Sequence, residues 1–265
     1  MTGAIIGKRR FGRRTSGRRW TAIVLATFCL LLGIVVTAPR LGLLGWQERL
    51  AYVPEGRPKA EAVVFLSGDM GLHLGMSGSI ARGLAAQGYR VTGVSSPVAF
   101  ANHKTPDQAK QIVIDAINTA MLGDAQKVVL AGQSFGADVI ASVLPQLPAQ
   151  VRQKIAAAIL VVPSENVHLR ADPSGLAYLG QPDARPAAAL HRLIDLPLTC
   201  IQGREESSSL CPLLHGPSQR RIVLPGDHYL DHDAARVIDT MTAAIAAKAP
   251  APHVNDGSAA PDGRS

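Results

Sequence analysis

The stretch that most constrains this chain is Gly132-Gln133-Ser134-Phe135-Gly136. The apolar run Val128-Val129-Leu130-Ala131 leads directly into it. After it, Val139, Ile140, Val143, Leu144 and Leu147 recur at helical spacing. The order is strand, sharp turn, helix, with a serine at the apex, which is the layout of a nucleophile elbow. Glycines flank such a serine because the turn brings strand and helix backbones close together. The five-residue string alone is common, and a bland glycine-rich turn is the competing reading. The strand before it and the helix after it set it apart.

The rest of the chain repeats that alternation. Residues 62–66 read as a buried strand ending in Ser67-Gly68-Asp69-Met70-Gly71, and a helix follows over 76–87. Another strand covers 90–95. Thr105, Pro106 and Gln108 fit N-cap, N1 and N3 of the next helix, a capping-box pattern. Strands are expected at 155–162, 197–202 and 220–224, and a closing helix at 231–248. Residues 164–196 lack periodicity and are rich in Pro, Gly and Ala, as expected of an excursion over a site. Alternating buried strands and helices imply an α/β fold, a mostly parallel sheet with helices on both faces. Ligands then bind at the carboxyl ends of the strands, where the serine lies. The fold class expected is an α/β-hydrolase fold preceded by one N-terminal transmembrane helix.

Charge locates the chain's ends. The 265 residues carry a net charge of +7, which on its own suggests a nucleic-acid partner. Seven of the 27 Lys and Arg lie in residues 1–19, which hold no acid, and the other 20 are matched by 20 Asp and Glu. No nucleic-acid surface is therefore expected. Residues 20–38 are apolar and just long enough to span a bilayer. The basic patch before them keeps the N-terminus in the cytoplasm. The expected location is a bacterial inner membrane, single-pass, with the catalytic domain in the periplasm. A cleaved signal peptide, leaving a soluble periplasmic protein, is the alternative, but Pro39 directly after Val36-Thr37-Ala38 disfavours cleavage. Residues 39–59 read as a linker, 60–248 as the hydrolase domain and 249–265 as a disordered tail. Cys29 falls in the apolar segment. Cys200 and Cys211 lie close together in the exported part and are candidates for one disulfide.

A serine hydroxyl needs a base, and the base needs a carboxylate, in chain order Ser, acid, His. His228 follows the last strand and is preferred to His232, which falls inside the expected last helix. Gly203-Arg204-Glu205-Glu206 follows the strand at 197–202. Glu206 is the preferred acid and Glu205 the runner-up. The developing oxyanion needs amide donors. Phe135 supplies one, and Asp69 or Met70, in the glycine turn after the first strand, supplies the second. No metal-ligand spacing is convincing, and no cofactor is expected.

Together these pieces resemble the VirJ/AcvB family of bacterial virulence-associated periplasmic α/β hydrolases. The matching segments are FLSGDMG (65–71), HKTPDQ (103–108), AGQSFGAD (131–138), CIQGREESSSLCP (200–212) and LPGDHYLD (224–231). The resemblance implies hydrolysis of lysyl-phosphatidylglycerol, with Ser134 as nucleophile, His228 as base and Glu206 as acid. It departs where the family usually reads Gly-Asp-Gly-Gly-Trp and this chain has Gly68-Asp69-Met70-Gly71-Leu72. An aminoacylated phospholipid carries ammonium groups near its ester and a phosphate further away. Asp69 and Asp138 are candidate ammonium partners and Lys104 a candidate phosphate partner. For Asp138 the competing reading is a buried helix residue bonded to nearby backbone, and for Lys104 a solvated loop cation. A general carboxylesterase or lipase, and a binding protein on a hydrolase scaffold associated with secretion, are the alternatives.

Overall fold

The structure, a computed structural model, describes residues 15–247. The expected tail at 249–265 and residues 1–14 of the basic segment lie outside the described residues. Seven strands form one sheet: β1 (Arg49–Tyr52), β2 (Glu61–Leu66), β3 (Arg90–Val94), β4 (Lys127–Gln133), β5 (Ile155–Val161), β6 (Leu198–Gly203) and β7 (Gln219–Leu224). Their spatial order is β1-β3-β2-β4-β5-β6-β7. β1 runs antiparallel to β3, and every other neighbouring pair is parallel. The helices in chain order are α1 (Thr15–Thr37), α2 (Ser77–Ala86), α3 (Ser96–Ala99), α4 (Pro106–Ala120), α5 (Phe135–Val143), α6 (Ala149–Arg152), α7 (Ala187–His191) and α8 (Ala234–Ala247).

The central strand shows why the sheet is covered on both faces. Val128 and Leu130 of β4 join the cluster containing Val113 and Ile117 of α4 and Ile140 of α5. Val129 and Ala131 join the opposite cluster, with Ile80 and Leu84 of α2 and Val237 and Met241 of α8. Successive side chains of a strand point to opposite faces, so an unbroken apolar run fits only a sheet buried twice. Each fully buried Leu, Ile or Val contributes about 1.5–3 kcal/mol relative to exposure. The α4 capping box is present in both halves. Thr105 Oγ1 accepts from the Gln108 amide at 3.2 Å, and Gln108 Oε1 accepts from the Thr105 amide at 2.9 Å.

Two expectations need correcting. The segment 39–59 is not simply a linker, since it supplies edge strand β1, whose Leu50 and Tyr52 pack on the α2 side of the sheet. Four residues with one exposed side chain carry too little pattern to be read as a strand. The last helix begins at Ala234, not Asp231. Leu230, Asp231 and His232 have φ of 51, 53 and 56°, a left-handed turn that cannot continue into a helix. None of the three is glycine, so the usual sequence signal is missing.

Within α1, Arg19–Thr37 has a mean hydropathy of 2.3 and none of it is buried. Those 19 residues span about 28 Å as a helix, close to the roughly 30 Å of a bilayer's hydrocarbon core. This helix is long and apolar enough to cross a membrane, by length and composition, and a signal sequence has the same character.

Candidate active site

β4 ends at Gln133 and α5 starts at Phe135, leaving Ser134 alone in the turn with φ 51° and ψ −123°. A non-glycine residue rarely holds such a backbone unless its surroundings fix it. Here the Ser134 amide donates to the Val161 carbonyl at 2.8 Å, and its own carbonyl accepts from the Asp138 amide at 2.9 Å. The flanking glycines are required by space. A Cβ on Gly132 would lie 2.6 Å from the Gly136 carbonyl carbon, and one on Gly136 would lie 2.6 Å from the Ser67 carbonyl oxygen.

His228 sits in the loop after β7, with Nε2 2.8 Å from Ser134 Oγ. Its Nδ1 lies 2.7 Å from Glu206 Oε1, in the loop after β6. The Glu206 side chain is only 5% exposed, against 36% for His228. The two loops pack without slack, since a Cβ on Gly203 would meet the Asp227 carbonyl carbon at 2.7 Å. Glu205 is exposed, and its amide donates to the Gly226 carbonyl at 3.1 Å. The structure therefore brings Glu206, not Glu205, to the imidazole. His232 is not inside α8 as expected. It lies in the left-handed turn, where its ring stands 5.5 Å from that of Tyr229.

The amide-rich side of the site is a turn from Gly68 to Gly71, closed by the Gly71 amide on the Gly68 carbonyl at 3.1 Å. Asp69 and Met70 are its central residues. Phe135 begins α5, so its amide has no acceptor within the helix. Ser77, the first residue of α2, ties this turn to the elbow. Its hydroxyl accepts from the Gly68 amide at 3.0 Å and donates to Gln133 Oε1 at 2.6 Å. Nothing in the sequence pointed to Ser77, because its partner lies 56 residues away.

These groups line a cavity of about 740 Å³. The excursion after β5 supplies one wall, including Ser164, Asp172 and Tyr178. Asp69 does not stand free in it. Its Oδ1 accepts from the Tyr178 hydroxyl at 2.5 Å and from the Asp172 amide at 2.9 Å, which docks the excursion onto the glycine turn. Burial pushes the Asp69 carboxyl above its ordinary value, partly offset by those two hydrogen bonds. Burial, and then Asp69, push the Tyr178 hydroxyl up as well. Burial raises Asp138 well above its ordinary value, although its Oδ1 accepts from the Ser164 amide at 2.6 Å. That bond is the backbone partnership foreseen as the competing reading of Asp138. Burial also acts to raise Asp172, but hydrogen bonds from the Ser174 side chain and the Ala177 amide outweigh it and leave the carboxyl lowered. Lys104 is not among the residues lining the cavity, and only its amide is engaged, with the Leu169 carbonyl at 2.9 Å. Cys200 and Cys211 are bonded, with Cα atoms 5.4 Å apart. The bridge closes the loop that carries Glu206.

Residues 60–249 match the sequence profile of a family described as bacterial virulence protein (VirJ). Compared by sequence with curated proteins, the chain matches none. Among solved structures it is similar to Est1E from Butyrivibrio proteoclasticus, with a TM-score of 0.53 at 14% identity, over 75% of this chain and 94% of that one. It is also similar to the metagenome-derived lipolytic enzymes LipS and LipT, with a TM-score of 0.55 at 16% identity, over 76% and 98%. The carboxylesterase CesB from Bacillus subtilis gives 0.51 at 14%, over 75% and 87%. At such identities the likeness is one of fold, an α/β-hydrolase fold.

Proposed function

Because the chain belongs to the VirJ family of bacterial virulence proteins, we propose that it is a serine ester hydrolase that acts on an aminoacylated phospholipid such as lysyl-phosphatidylglycerol. The observation that carries this reading is the hydrogen-bonded series Ser134 Oγ, His228 Nε2, His228 Nδ1, Glu206 Oε1, with links of 2.8 and 2.7 Å, opening on a cavity. In this reading Ser134 Oγ attacks the ester carbonyl while His228 takes its proton. Glu206 holds the imidazole and stabilises the imidazolium. The amides of Phe135 and of Asp69 or Met70 receive the oxyanion. His228 then protonates the departing lipid alcohol, leaving the aminoacyl group on Ser134. A water, deprotonated by His228, releases the free amino acid and restores the serine.

The substrate class rests on the family and on the character of the cavity. Asp172, whose carboxyl is held below its ordinary value, gives the wall one acidic group that suits an ammonium. The helix Arg19–Thr37 would hold the domain beside its lipid, on the periplasmic face of an inner membrane. A general carboxylesterase is the second reading, favoured by neighbours described as carboxylesterases and lipolytic enzymes.

A fluorophosphonate probe tests the chemistry. It should label the full chain and fail on Ser134→Ala. No labelling of folded protein would leave a binding protein on a hydrolase scaffold. Turnover of lysyl-phosphatidylglycerol against simple acyl esters tests the substrate, and faster turnover of the simple esters would remove the lipid assignment.

A further inference from the structure

The foot of α1 is seated at the cavity. After Thr37 the chain does not run free. The Leu41 amide bonds to the Thr37 carbonyl, Leu43 to Ala38 and Gly45 to Gly42. Ala38 and Leu44 are buried. Arg40 Nε donates to Asn102 Oδ1 at 3.0 Å, and the Glu48 carbonyl accepts from the Ser95 amide at 2.8 Å. The Leu44 carbonyl oxygen packs on Gly71, where a Cβ would lie 3.3 Å from it. Gly71 closes the glycine turn, and its neighbour Met70 lines the cavity. The helix therefore joins the domain at the carboxyl ends of the parallel strands, one residue from the cavity wall.

Exposed apolar side chains lie at this opening and on the helix foot next to it. Leu43 and Trp46 stand on the foot of the helix. Met70, Leu74 and Tyr229 line the cavity yet remain exposed, and Leu179 follows the wall residue Tyr178. Exposed apolar groups gathered at one opening mark an interaction surface, where a lone exposed leucine does not. Aromatic side chains such as Trp46 and Tyr229 suit a boundary between apolar and wet surroundings.

We propose that this rim rests on the lipid surface of the membrane that α1 crosses, so that the cavity faces the bilayer and a lipid ester reaches Ser134 without leaving the membrane. The proposal rests on the reading of α1 as an anchor and of the site as a lipid-ester hydrolase. The short, hydrogen-bonded path from Thr37 to Leu44 selects this occupant, because it holds the opening at the level where the helix emerges.

The test uses the full chain in vesicles of phosphatidylethanolamine and phosphatidylglycerol with brominated acyl chains. Trp20 and Trp46, the only two tryptophans, are changed to Phe, and one probe is added, Tyr229→Trp at the rim or Leu122→Trp beyond α4 at the opposite end of the sheet. Stronger quenching at Tyr229→Trp is expected. Equal quenching at both, or none at the rim, overturns the proposal. So does self-association of the full chain in detergent without preferential quenching, which would give the rim to a second copy. In a second arm, Leu43→Asp with Trp46→Asp should slow vesicle-borne lipid turnover roughly tenfold or more and leave a water-soluble ester unaffected. Equal effects on both substrates contradict it. If the parent protein hydrolyses neither substrate, the enzymatic reading fails while the quenching pair still decides the orientation.

Discussion

Asp138 accepts a hydrogen bond from the backbone amide of Ser164 at 2.6 Å, which ties the elbow helix to the first stretch of the cavity's wall without any ion pair. Burial raises this carboxyl well above 3.8, with Asp69 and Glu206 adding like charge nearby. The folded protein then keeps a proton that the unfolded chain releases. Stability falls as pH rises from 3.8 toward the raised value, because the unfolded state binds fewer protons there. Asp138→Asn keeps an acceptor for Ser164 and removes the titration. It should melt higher than the parent at neutral pH, with the advantage shrinking as pH falls toward 3.8. Melting curves across pH check this, and a constant difference would refute the assignment.

Glu206 and Glu205 are adjacent but face different surroundings, one against His228 and one toward solvent. Glu206→Gln should reduce kcat by roughly 10²–10⁴-fold, because the imidazole loses the partner that sets its tautomer. Glu205→Gln should change kcat little. Steady-state rates with a soluble ester separate the two. Equal losses would move the acid's role elsewhere.

The Cys200–Cys211 bridge closes a loop of sequence separation 11, with Glu206 inside it. Replacing both cysteines by serine should cost about 3 kcal/mol of stability. It should also lower kcat, since the loop that aims Glu206 gains freedom. Denaturation measures the first effect and ester turnover under conditions where the variant stays folded measures the second. Lost stability with unchanged kcat would show that the loop holds its shape without the bridge.

What could be read from the sequence was set by local demands. Gly132 and Gly136 are required within one turn, and the Thr105 and Gln108 cap is complete within four residues, so both were legible. His228 and Glu206 were legible because each follows a parallel strand, in the loops after β7 and β6, at the same carboxyl ends of the sheet as the elbow. Contacts between distant segments were not. Tyr178 and Asp172 meet Asp69 more than 100 residues away, inside a stretch with no periodicity. Lys104 follows His103 in a segment suggestive of the site, yet it lies outside the cavity lining. The left-handed turn at 230–232 uses non-glycine residues held by tertiary packing, and a local reading has no handle on it.

Ser77 gives the sharpest test of the glycine turn. Its hydroxyl is the acceptor for the buried Gly68 amide and the donor to Gln133, the residue before Ser134. Ser77→Ala leaves that amide unpaired, at a cost of about 1–3 kcal/mol. The turn bearing the Asp69 and Met70 amides then loses its link to the elbow. Donors aimed at an oxyanion act in the transition state more than in substrate binding, so kcat should fall by roughly tenfold to a hundredfold with KM little changed. The rate of fluorophosphonate labelling should fall in parallel, since that reaction builds a similar charged oxygen at the same place. A variant that melts lower but labels and turns over at the parent rate would show that Ser77 supports α2 alone and does not position the oxyanion donors.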